Sequence, residues 1–572
     1  MAILQPLVDL AYLCHQLGIR RAVISPGSRS AALTLAFARH PHVKCTVVMD
    51  ERAAAFIALG MAQQMQEPVA LICTSGSAAY NYAPAVAEAF FQQIPLVVLT
   101  ADRPKEWIHQ NDGQTIYQSG IYGRHVKLSV DLPSDYTDPD AQWFINRSVN
   151  EAILTATTVP CGPVHLNVPI REPFYPTQDE KLLPSSVTRG ITRLKTISTL
   201  DPAIWHQLLE EWEDTDKVLI AVGQSQSGEE LNTIFRKITE EFHVPVVGDV
   251  ISNLVTHESS LARQDLFLSE QVDDKLQPDL LITTGQSFIS KNLKLFLRKN
   301  PGMKHWHVSE DMHIIDTFQT LTMHIPLSPE YFFTKLFEDI DYQRFVQNDE
   351  GGQDASFLTA WLTEDRRVRR IMSDYMQKIT SLTDLTAIYQ LLNELPTPCQ
   401  LHVANSMPIR YVNFVGIEKE GVKVFCNRGT SGIDGCVSTA IGAAMVSDEP
   451  VFLIVGDVAF FYDRNGLMQE KLPANLKIVL MNNSGGTIFR MIEGPARQPE
   501  LETYFETRHN FNARRTAEDA NISYFQCSKE MKQLGETWGE FISTPKAALL
   551  EITTDPVENT SVFKGLKAAL KK

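Results

Sequence analysis

Short apolar runs alternate with longer amphipathic stretches between residues 20 and 100 of the chain. The runs RRAVISPG, TVVMD, VALICTSG and IPLVVLTAD are bounded by glycine, proline or polar residues, and helical patterns such as ERAAAFIALGMAQQMQ separate them. Apolar runs of this length predict buried strands. Strands that alternate with helices indicate βαβ units and a parallel sheet, which PVHLNVP (163–169) extends.

Two further blocks repeat this alternation. A polar, proline-containing stretch near 175–190 and a predicted loop at 347–356 separate the blocks. We therefore predict an α/β protein in which each of three domains is a parallel sheet flanked by helices, with boundaries at 1–185, 186–350 and 351–572. No repeat is visible in the sequence, although blocks of similar size can share an architecture. The predicted strands are VLIAVG (218–223), VPVVGDV (244–250) and LLITTG (280–285) in the second block, and LHVANS, VFCNRG, VFLIVGD, KIVLMNN and AALLEITT (547–554) in the third.

Composition narrows the class of protein. The 572 residues are 44% hydrophobic and 21% charged, as in folded globular proteins, and the net charge of −16 argues against nucleic acid or an anionic membrane surface as a partner. The eight cysteines form no CxxC pair, as is typical of reduced thiols in a cytoplasmic enzyme. No apolar stretch reaches the length of a membrane span, and the N-terminus reads as an amphipathic helix without a basic leader.

Polar residues follow two of the predicted strands in the third block. Gly456-Asp457-Val458 comes after VFLIV, and the Asn482–Gly486 segment NNSGG comes after KIVLM. Each pair alone is more often a turn. Together, at the carboxyl ends of parallel strands, they offer hard oxygen ligands for Mg²⁺ and glycine backbone that a diphosphate can approach. The spacing resembles the thiamine diphosphate motif GDG…NN, with Val458 in place of its second glycine.

Four segments together resemble one family more closely. They are SPGSRSAALTLA (25–36), MDERAAAFIALGMA (49–62), TSGSAAYNYAPAVAEA (74–89) with LTADRP (99–104), and NRGTSGIDG (427–435). In combination with the GD…NN site they resemble the family of SEPHCHC (2-succinyl-5-enolpyruvyl-6-hydroxy-3-cyclohexene-1-carboxylate) synthases of menaquinone biosynthesis. The likeness covers roughly 20–125 and 400–495 and is weak through the middle block.

The resemblance implies a fold, a cofactor and a reaction. It implies pyrimidine-binding, central and diphosphate-binding domains, thiamine diphosphate with Mg²⁺ or Mn²⁺, and a homodimer or homotetramer with active sites between subunits. The implied reaction is decarboxylation of 2-oxoglutarate with release of CO₂, followed by 1,4-addition of the succinyl carbanion equivalent to isochorismate.

Glu51 is the expected catalytic residue. An acid in the first turn of a helix usually serves only the helix dipole, but the resemblance matches Glu51 to the glutamate that hydrogen-bonds the aminopyrimidine ring and makes that ring a base. Ile433 matches the side chain that holds the cofactor bent, and Asp457, Asn483 and the Gly485 carbonyl are the expected metal ligands. The full expected cofactor set is Glu51, Ser75, Gly76, Ser431, Gly432, Ile433, Gly456, Asp457, Asn483, Gly485, Gly486 and Ile488.

Several cations should converge because the two substrates carry four carboxylates between them. A single arginine is usually just solvated, but arginine pairs with carboxylates in a bidentate manner. The resemblance matches three arginines to substrate-site positions: Arg29 in SPGSRS, Arg410 in NSMPIR and Arg428 in NRG. An arginine follows Lys291 in the family, whereas this chain has Asn292. The expected substrate set is Ser28, Arg29, Gln114, Lys291, Asn405, Ser406, Arg410, Arg428, Ile488, Phe489 and Ile492. No histidine pair is expected beside the cofactor.

Other readings of the sequence stay open. One is a different thiamine diphosphate enzyme, such as an acetohydroxyacid synthase, an oxalyl-CoA decarboxylase or a simple 2-oxoacid decarboxylase. Another is a non-catalytic subunit with the same fold, against which the presence of Glu51, Asp457 and Asn483 argues. An NAD-dependent oxidoreductase is a weaker third reading because no strand is followed by G-x-G-x-x-G.

Overall fold

The computed structural model describes residues 4–172, 175–176, 180–226, 228–254, 260–269, 273–347, 355–528 and 530–571. Within these residues the strands form three sheets, of six, five and six strands, in which neighbouring strands are parallel. The predicted α/β class, with a parallel sheet flanked by helices in each block, is confirmed. Most of the loop predicted at 347–356, and with it the expected boundary at 350, lies outside the described residues.

The first sheet has the strand order β2-β1-β3-β4-β6-β5. Its central strands β3 and β4 are buried along their whole length, whereas the first and last residues of the edge strand β5 are exposed to solvent. Its strands are β1 Arg21–Ile24, β2 Lys44–Val47, β3 Val69–Cys73, β4 Leu96–Asp102, β5 Ser129–Asp131 and β6 Val164–Pro169. Its helices are α1 Gln5–Gln16, α2 Ala31–Ala38, α3 Glu51–Met65, α4 Ser77–Asn81, α5 Ala83–Phe91 and α6 Pro139–Thr157, with 3₁₀ turns at Lys105–Trp107 and Gly123–His125.

The second sheet has the order β11-β10-β9-β7-β8, a doubly wound arrangement. Its strands are β7 Val218–Val222, β8 Val246–Gly248, β9 Leu280–Thr284, β10 Lys304–Val308 and β11 Met323–Ile325. Its helices are α7 Pro202–Glu213, α8 Glu229–Phe242, α9 Gln264–Phe267, α10 Lys291–Leu297 and α11 Pro329–Gln347, with a 3₁₀ turn at Val250–Ser252.

The third sheet, in the order β13-β12-β14-β15-β17-β16, repeats the strand order of the first. Its strands are β12 Cys399–Val403, β13 Val422–Phe425, β14 Val451–Gly456, β15 Leu476–Asn482, β16 Ser523–Cys527 and β17 Ala548–Thr553. Its helices are α12 Ala355–Met376, α13 Asp384–Glu394, α14 Met407–Val415, α15 Cys436–Ala444, α16 Asp457–Asp463, α17 Ile488–Met491, α18 Glu493–Ala496, α19 Arg514–Asp519, α20 Met531–Ser543 and α21 Pro556–Leu570. A 3₁₀ turn at Arg464–Leu467 and a π-helical turn at Leu501–Phe505 complete the domain.

Helix α3 joins the first domain to the third. It is apolar on every face and buried from Ala53 to Gln63, as expected of a helix that lies inside a core. Its partner is α15, and the two backbones approach so closely that a Cβ on Gly60 would lie 2.0 Å from the carbonyl oxygen of Thr439. One apolar core therefore runs through both domains.

Within the described residues, no helix has the length and apolar character needed to cross a bilayer.

Candidate active site

The two polar clusters predicted at strand ends lie side by side. Strands β14 and β15 are parallel neighbours, with Gly456 in register with Met481. Their carboxyl ends therefore lie at the same edge of the sheet. The Asp457 carboxylate accepts hydrogen bonds from the backbone N–H groups of Val458 at 2.7 Å and Gly485 at 2.9 Å. The residues predicted from GDV and NNSGG therefore form one cluster.

Asn483 is held in place by its side-chain amide. Its Nδ2 donates to Asp384 at 2.8 Å, and its Oδ1 accepts from the Thr487 hydroxyl at 2.6 Å. Asp384 is itself buried and accepts from Thr554 at 2.6 Å. Because an amide oxygen has two lone pairs, Asn483 keeps one for a metal ion.

The backbone at position 485 requires glycine. Gly485 has φ +149°, and a Cβ there would lie 2.6 Å from the Glu506 carbonyl oxygen, which also accepts a hydrogen bond from Gly486 N–H at 2.8 Å. Neither the conformation nor the space admits a side chain. Gly485 therefore shapes the turn that brings its own N–H to Asp457.

The Asp457 carboxyl lacks a strong counter-charge. It is 2% exposed, and burial raises its pKa to about 7 although backbone N–H groups oppose the shift. Within the described part of the chain no lysine or arginine pairs with it, and its nearest basic atom is His509 Nε2 at 3.5 Å. A buried carboxyl whose pKa is raised in this way is a good ligand for a divalent cation, because the cation would stabilise the charged carboxylate.

His509 was not predicted as a site residue. Its ring stacks on Phe511, with centroids 5.0 Å apart, and burial lowers its pKa. Its Nε2 is buried and has no hydrogen-bond partner among the described residues. No sequence signal marks it, since it reaches Asp457 from a loop more than fifty residues further along the chain.

The N-terminal domain gathers a second group of predicted residues at the carboxyl edge of its own sheet. Glu51 begins α3 and lies near Cys73 and Tyr82, whose pKa values burial raises and the Glu51 charge raises further. Gly76 N–H donates to Gln118 at 2.8 Å, and a Cβ on Gly76 would meet the Gln114 backbone at 3.4 Å.

Two buried hydroxyl groups lie at the end of β3, next to Gly76. The Oγ atoms of Ser75 and Thr74 have no hydrogen-bond partner in the described residues, and the two residues are 2% and 6% exposed. Orphaned buried hydroxyls are rare in folded proteins. They fit a polar ligand at the end of β3.

The segment Ser431–Ile433 lies beside Asn405. Asn405 Nδ2 donates to the Gly432 carbonyl oxygen at 2.7 Å and to that of Asn427 at 2.6 Å. Ser431 has a positive φ of 61°, and Ile433 is half-buried against the shared core. Asn405, Gly432 and Ile433 thus lie together, and Asn405 also binds the loop at 427–429, the NRG loop.

Basic side chains converge on this loop. Arg428 Nη1 donates to Asn405 Oδ1 at 3.1 Å, and Arg410 Nη1 donates to the Ser406 carbonyl oxygen at 2.7 Å. Burial lowers the pKa of Arg410, and the nearby Arg428 lowers it further. Ser406 holds φ +77°, a strained conformation of the kind that clusters at functional sites.

Lys294, which was not predicted, joins this group from the central domain. Its Nζ donates to the Phe288 carbonyl oxygen at 3.1 Å, and Ser287 Oγ in the same loop donates to the Arg428 carbonyl oxygen at 3.0 Å. Burial lowers the Lys294 pKa, Asp249 opposes that shift and Arg428 adds to it. Helix α10, which carries Lys294, begins at the predicted Lys291, and Lys291 is exposed. The next residue, Asn292, donates hydrogen bonds to Asp265.

Arg29 lies in the N-terminal domain. Its side chain is 7% exposed, donates to the Ile170 carbonyl oxygen at 2.9 Å and lies 3.8 Å from Glu172, while Ser28 is exposed. The Arg103 charge nearby lowers the Arg29 pKa in addition to burial. Arg103 was missed as a site residue although it stands in the LTADRP segment, directly after β4. It borders a cavity of about 780 Å³ that Gln118 and Asn167 also line.

Ile488, Phe489 and Ile492 form an apolar rim next to Gly486. Phe489 packs on Phe505 with ring centroids 5.7 Å apart, and Ile492 is 48% exposed. Ile492 lies just beyond the short helix α17. Ile488 is half-buried and packs on the core, so Ile492 alone marks the solvent side of the rim.

The described residues contain no hydrogen bond or ion pair between the Glu51 side chain and the Asp457–Asn483 cluster. The N-terminal and C-terminal parts of the predicted site are each assembled, but one chain does not join them through these side chains. Exposed apolar residues lie beside the N-terminal part, with Met49 75% and Tyr80 55% exposed.

Comparison with known proteins agrees with these features. The family model "Thiamine pyrophosphate enzyme, N-terminal TPP binding domain" matches residues 8–121, and "Middle domain of thiamine pyrophosphate" matches 194–402. The 2-succinyl-5-enolpyruvyl-6-hydroxy-3-cyclohexene-1-carboxylate synthase of Cytophaga hutchinsonii is 41% identical, with 100% of this chain and 99% of that protein aligned.

Proteins of the same name from other bacteria are similar over nearly the whole chain. The one from Flavobacterium psychrophilum is 38% identical over 96% of both chains. The one from Desulfotalea psychrophila is 33% identical over 97% of this chain and 99% of its own. The chain therefore belongs to the SEPHCHC synthase family, the thiamine diphosphate-dependent enzymes of menaquinone biosynthesis.

Proposed function

We propose that this protein decarboxylates 2-oxoglutarate and adds the remaining four-carbon unit to isochorismate in a 1,4 manner. The observation that carries the proposal is the cluster of Arg410, Arg428 and Lys294 beside the edge of the sheet that bears Asp457 and Asn483. Partly buried cations in such numbers suit substrates with several carboxylates. Each charge-assisted hydrogen bond contributes about 1.5–3 kcal/mol.

Asp457, Asn483 and the Gly485 carbonyl are the proposed ligands of Mg²⁺, or of Mn²⁺ in its place. Mg²⁺ prefers oxygen ligands and commonly shares them with a phosphate. Gly456 and Gly486 leave backbone that a diphosphate can approach, and Ser431, Gly432, Ile433 and Ile488 would contact the rest of the cofactor. Bound thiamine diphosphate would supply the electron sink for decarboxylation.

Glu51 is the proposed catalytic acid. In this role its carboxyl would hydrogen-bond a ring nitrogen of the cofactor, while Ser75 and Gly76 contact the same ring from the end of β3. The unpartnered Ser75 hydroxyl supports that placement.

The substrate carboxylates are assigned to two groups of residues. Asn405, Ser406, Arg410 and Arg428 form the C-terminal group, with Lys291 at its margin and Ile488, Phe489 and Ile492 as an apolar wall. Ser28, Arg29 and Gln114 form the N-terminal group. The wall would exclude water and so protect a reactive carbon from protonation.

Two chains would complete each site. The absence of a hydrogen bond or ion pair between Glu51 and the Asp457–Asn483 cluster among the described residues supports a homodimer, or a homotetramer built from it, in which the N-terminal domain of one subunit faces the C-terminal domain of the other. Mixing Glu51→Gln with Asp457→Asn chains tests this arrangement. A shared site predicts recovery of up to about one quarter of wild-type activity, because half the dimers are mixed and each holds one intact site. No recovery in exchanging subunits would show that each site lies within one chain.

The reaction itself is tested by identifying the product. The protein is supplied with 2-oxoglutarate, isochorismate, thiamine diphosphate and Mg²⁺, and the product mass is measured. Turnover of pyruvate without isochorismate would instead favour a different 2-oxoacid decarboxylase or carboligase. Absence of thiamine diphosphate binding in a titration with Mg²⁺ would favour a non-catalytic subunit.

A further inference from the structure

Both sequence neighbours of Glu51 are held by one segment of the C-terminal domain. Asp50 is the N-cap of α3, and its Oδ1 accepts from Ala53 N–H at 2.9 Å while its Oδ2 accepts from Asn465 Nδ2 at 2.9 Å. Arg52 Nη2 donates to the Tyr462 carbonyl oxygen at 2.7 Å, and its guanidinium lies 4.4 Å from the centre of the Tyr462 ring. Both oxygens of the cap are therefore engaged, one within α3 and one by the other domain.

Residues 462–465, which hold Asp50 and Arg52, lie at the end of the helix that starts at the proposed metal site. Helix α16 starts with Asp457, and residues 462–465 close it and open the following 3₁₀ turn. The buried Asp463 anchors this end, because its carboxylate accepts from Ser438 N–H at 2.7 Å and from the Ser438 hydroxyl at 2.9 Å. Ser438 belongs to α15, the helix that packs against α3. Hydrogen bonds thus connect the C-terminal end of α16 to α15 and to the start of α3.

We propose that Asp50, Arg52, Tyr462 and Asn465 form a clamp that positions Glu51. The inference rests on the proposed role of Glu51 as the acid that contacts the cofactor ring. The first turn of a helix sets the direction in which its side chains leave the backbone, and catalytic groups tolerate errors of only about 0.5 Å. Contacts on both sides of Glu51, made within its own chain, restrict that direction.

The clamp differs from a contact that only stabilises the domain interface. The Asp50–Asn465 bond is solvent-exposed, and exposed polar pairs contribute little to stability. The apolar packing of α3 on α15 holds the domains together without it. Removal of Asn465 should therefore spare the fold and alter the action of Glu51.

Four variants test the clamp. Asn465→Ala removes the bond to Asp50, and Asn465→Asp places a carboxylate against the Asp50 carboxylate. Glu51→Gln reports on the acid itself. Asn393→Ala is the matched control, because it removes an exposed amide that donates to a backbone carbonyl at 2.9 Å in α13. The readouts are deuterium exchange at C2 of bound thiamine diphosphate, the affinity for thiamine diphosphate, and the thermal midpoint of the apo protein.

The expected result is slower C2 exchange at unchanged affinity. Asn465→Ala should slow exchange by about five- to tenfold, as loss of one hydrogen bond implies, and Asn465→Asp should slow it more because like charges repel. Both should keep the affinity and the thermal midpoint of the Asn393→Ala control.

Wild-type exchange in both Asn465 variants, or a loss of exchange that only follows a loss of folding, would overturn the clamp. Wild-type exchange in Glu51→Gln would instead contradict the proposed function. The two failures are therefore distinguishable.

Discussion

Two residues of the candidate site, Asp457 and Arg410, have side chains of opposite charge. Asp457 is a carboxyl whose burial raises its pKa to about 7, whereas Arg410 is a guanidinium whose burial lowers its pKa. Each is destabilised by its own burial and would gain from a ligand of the opposite charge. A divalent cation satisfies the first, and a substrate carboxylate satisfies the second.

Replacement of Glu51 by glutamine should nearly abolish decarboxylation of 2-oxoglutarate. The amide keeps the size of the side chain but cannot share a proton with a ring nitrogen as a carboxyl does, so we expect a loss of about a hundredfold or more. Binding of thiamine diphosphate, measured by titration, should persist. Full activity of this variant would remove Glu51 from the chemistry.

Arg410→Ala should weaken the use of one dicarboxylate by one to three orders of magnitude. The size follows from the loss of one or more charge-assisted hydrogen bonds of about 1.5–3 kcal/mol each. Steady-state kinetics with each substrate varied in turn would show which one is affected. Unchanged kinetics for both substrates would contradict the assignment.

Lys294→Ala and Lys291→Ala form a matched pair on one helix. Lys294 is partly buried and lies near Arg428, whereas Lys291 is exposed. We expect Lys294→Ala to raise the KM for one dicarboxylate about tenfold or more, and Lys291→Ala to change it less, because exposed charges are screened. The reverse order would place the Lys291 ammonium, rather than that of Lys294, against a substrate.

Elements were predicted best where they are most buried. The central strands β3, β7 and β14 are continuous apolar runs, β9 is a buried run of apolar residues and threonine, and the sequence predicted each of them. The edge strands β5, β11 and β16 were missed, because a strand with one free edge is short and partly polar. The buried strand β10 was also missed, since lysine and two histidines interrupt its apolar pattern.

The contact between α3 and α15 should be intolerant of a methyl group. A Cβ on Gly60 would lie 2.0 Å from the Thr439 carbonyl oxygen, and one on Gly442 would lie 2.1 Å from that of Ile57. Gly60→Ala should therefore cost about 1–3 kcal/mol and lower the thermal midpoint by several degrees. Gly539→Ala is the control, because space around this exposed helical position is open and alanine favours helix. Equal midpoints for both variants would contradict the close approach.

At the scale of the whole molecule, buried histidines make stability depend on pH. Burial lowers the pKa of His165 to about 4 and that of His402 to about 3. Since the unfolded chain binds these protons more readily, the stability that the two neutral histidines contribute is lost as the pH falls from about 6.5 through 4 for His165 and through 3 for His402. The loss is on the order of 2 kcal/mol per histidine at pH 5. Asp457 acts in the opposite direction, because its raised pKa of about 7 means that the folded chain takes up its proton first.

Chemical denaturation at pH 7, 6 and 5 would measure this effect. The stability of His402→Leu should rise relative to that of the wild type as the pH falls from 7 to 5, because the substituted side chain fills a buried strand position and cannot take up a proton. A difference between the two proteins that stays constant with pH would remove His402 from the acid sensitivity.

The sequence by itself determined the α/β class, the strand ends at Asp457 and Asn483, and the family. Those features depend on local patterns: apolar periodicity, turn residues and motif spacing. The tertiary structure alone decided that Lys294 and Arg103 lie beside the predicted arginines, that His509 touches Asp457, and that residues 462–465 hold the start of α3. These contacts join positions far apart in the chain, and only packing of one element against another brings such positions together.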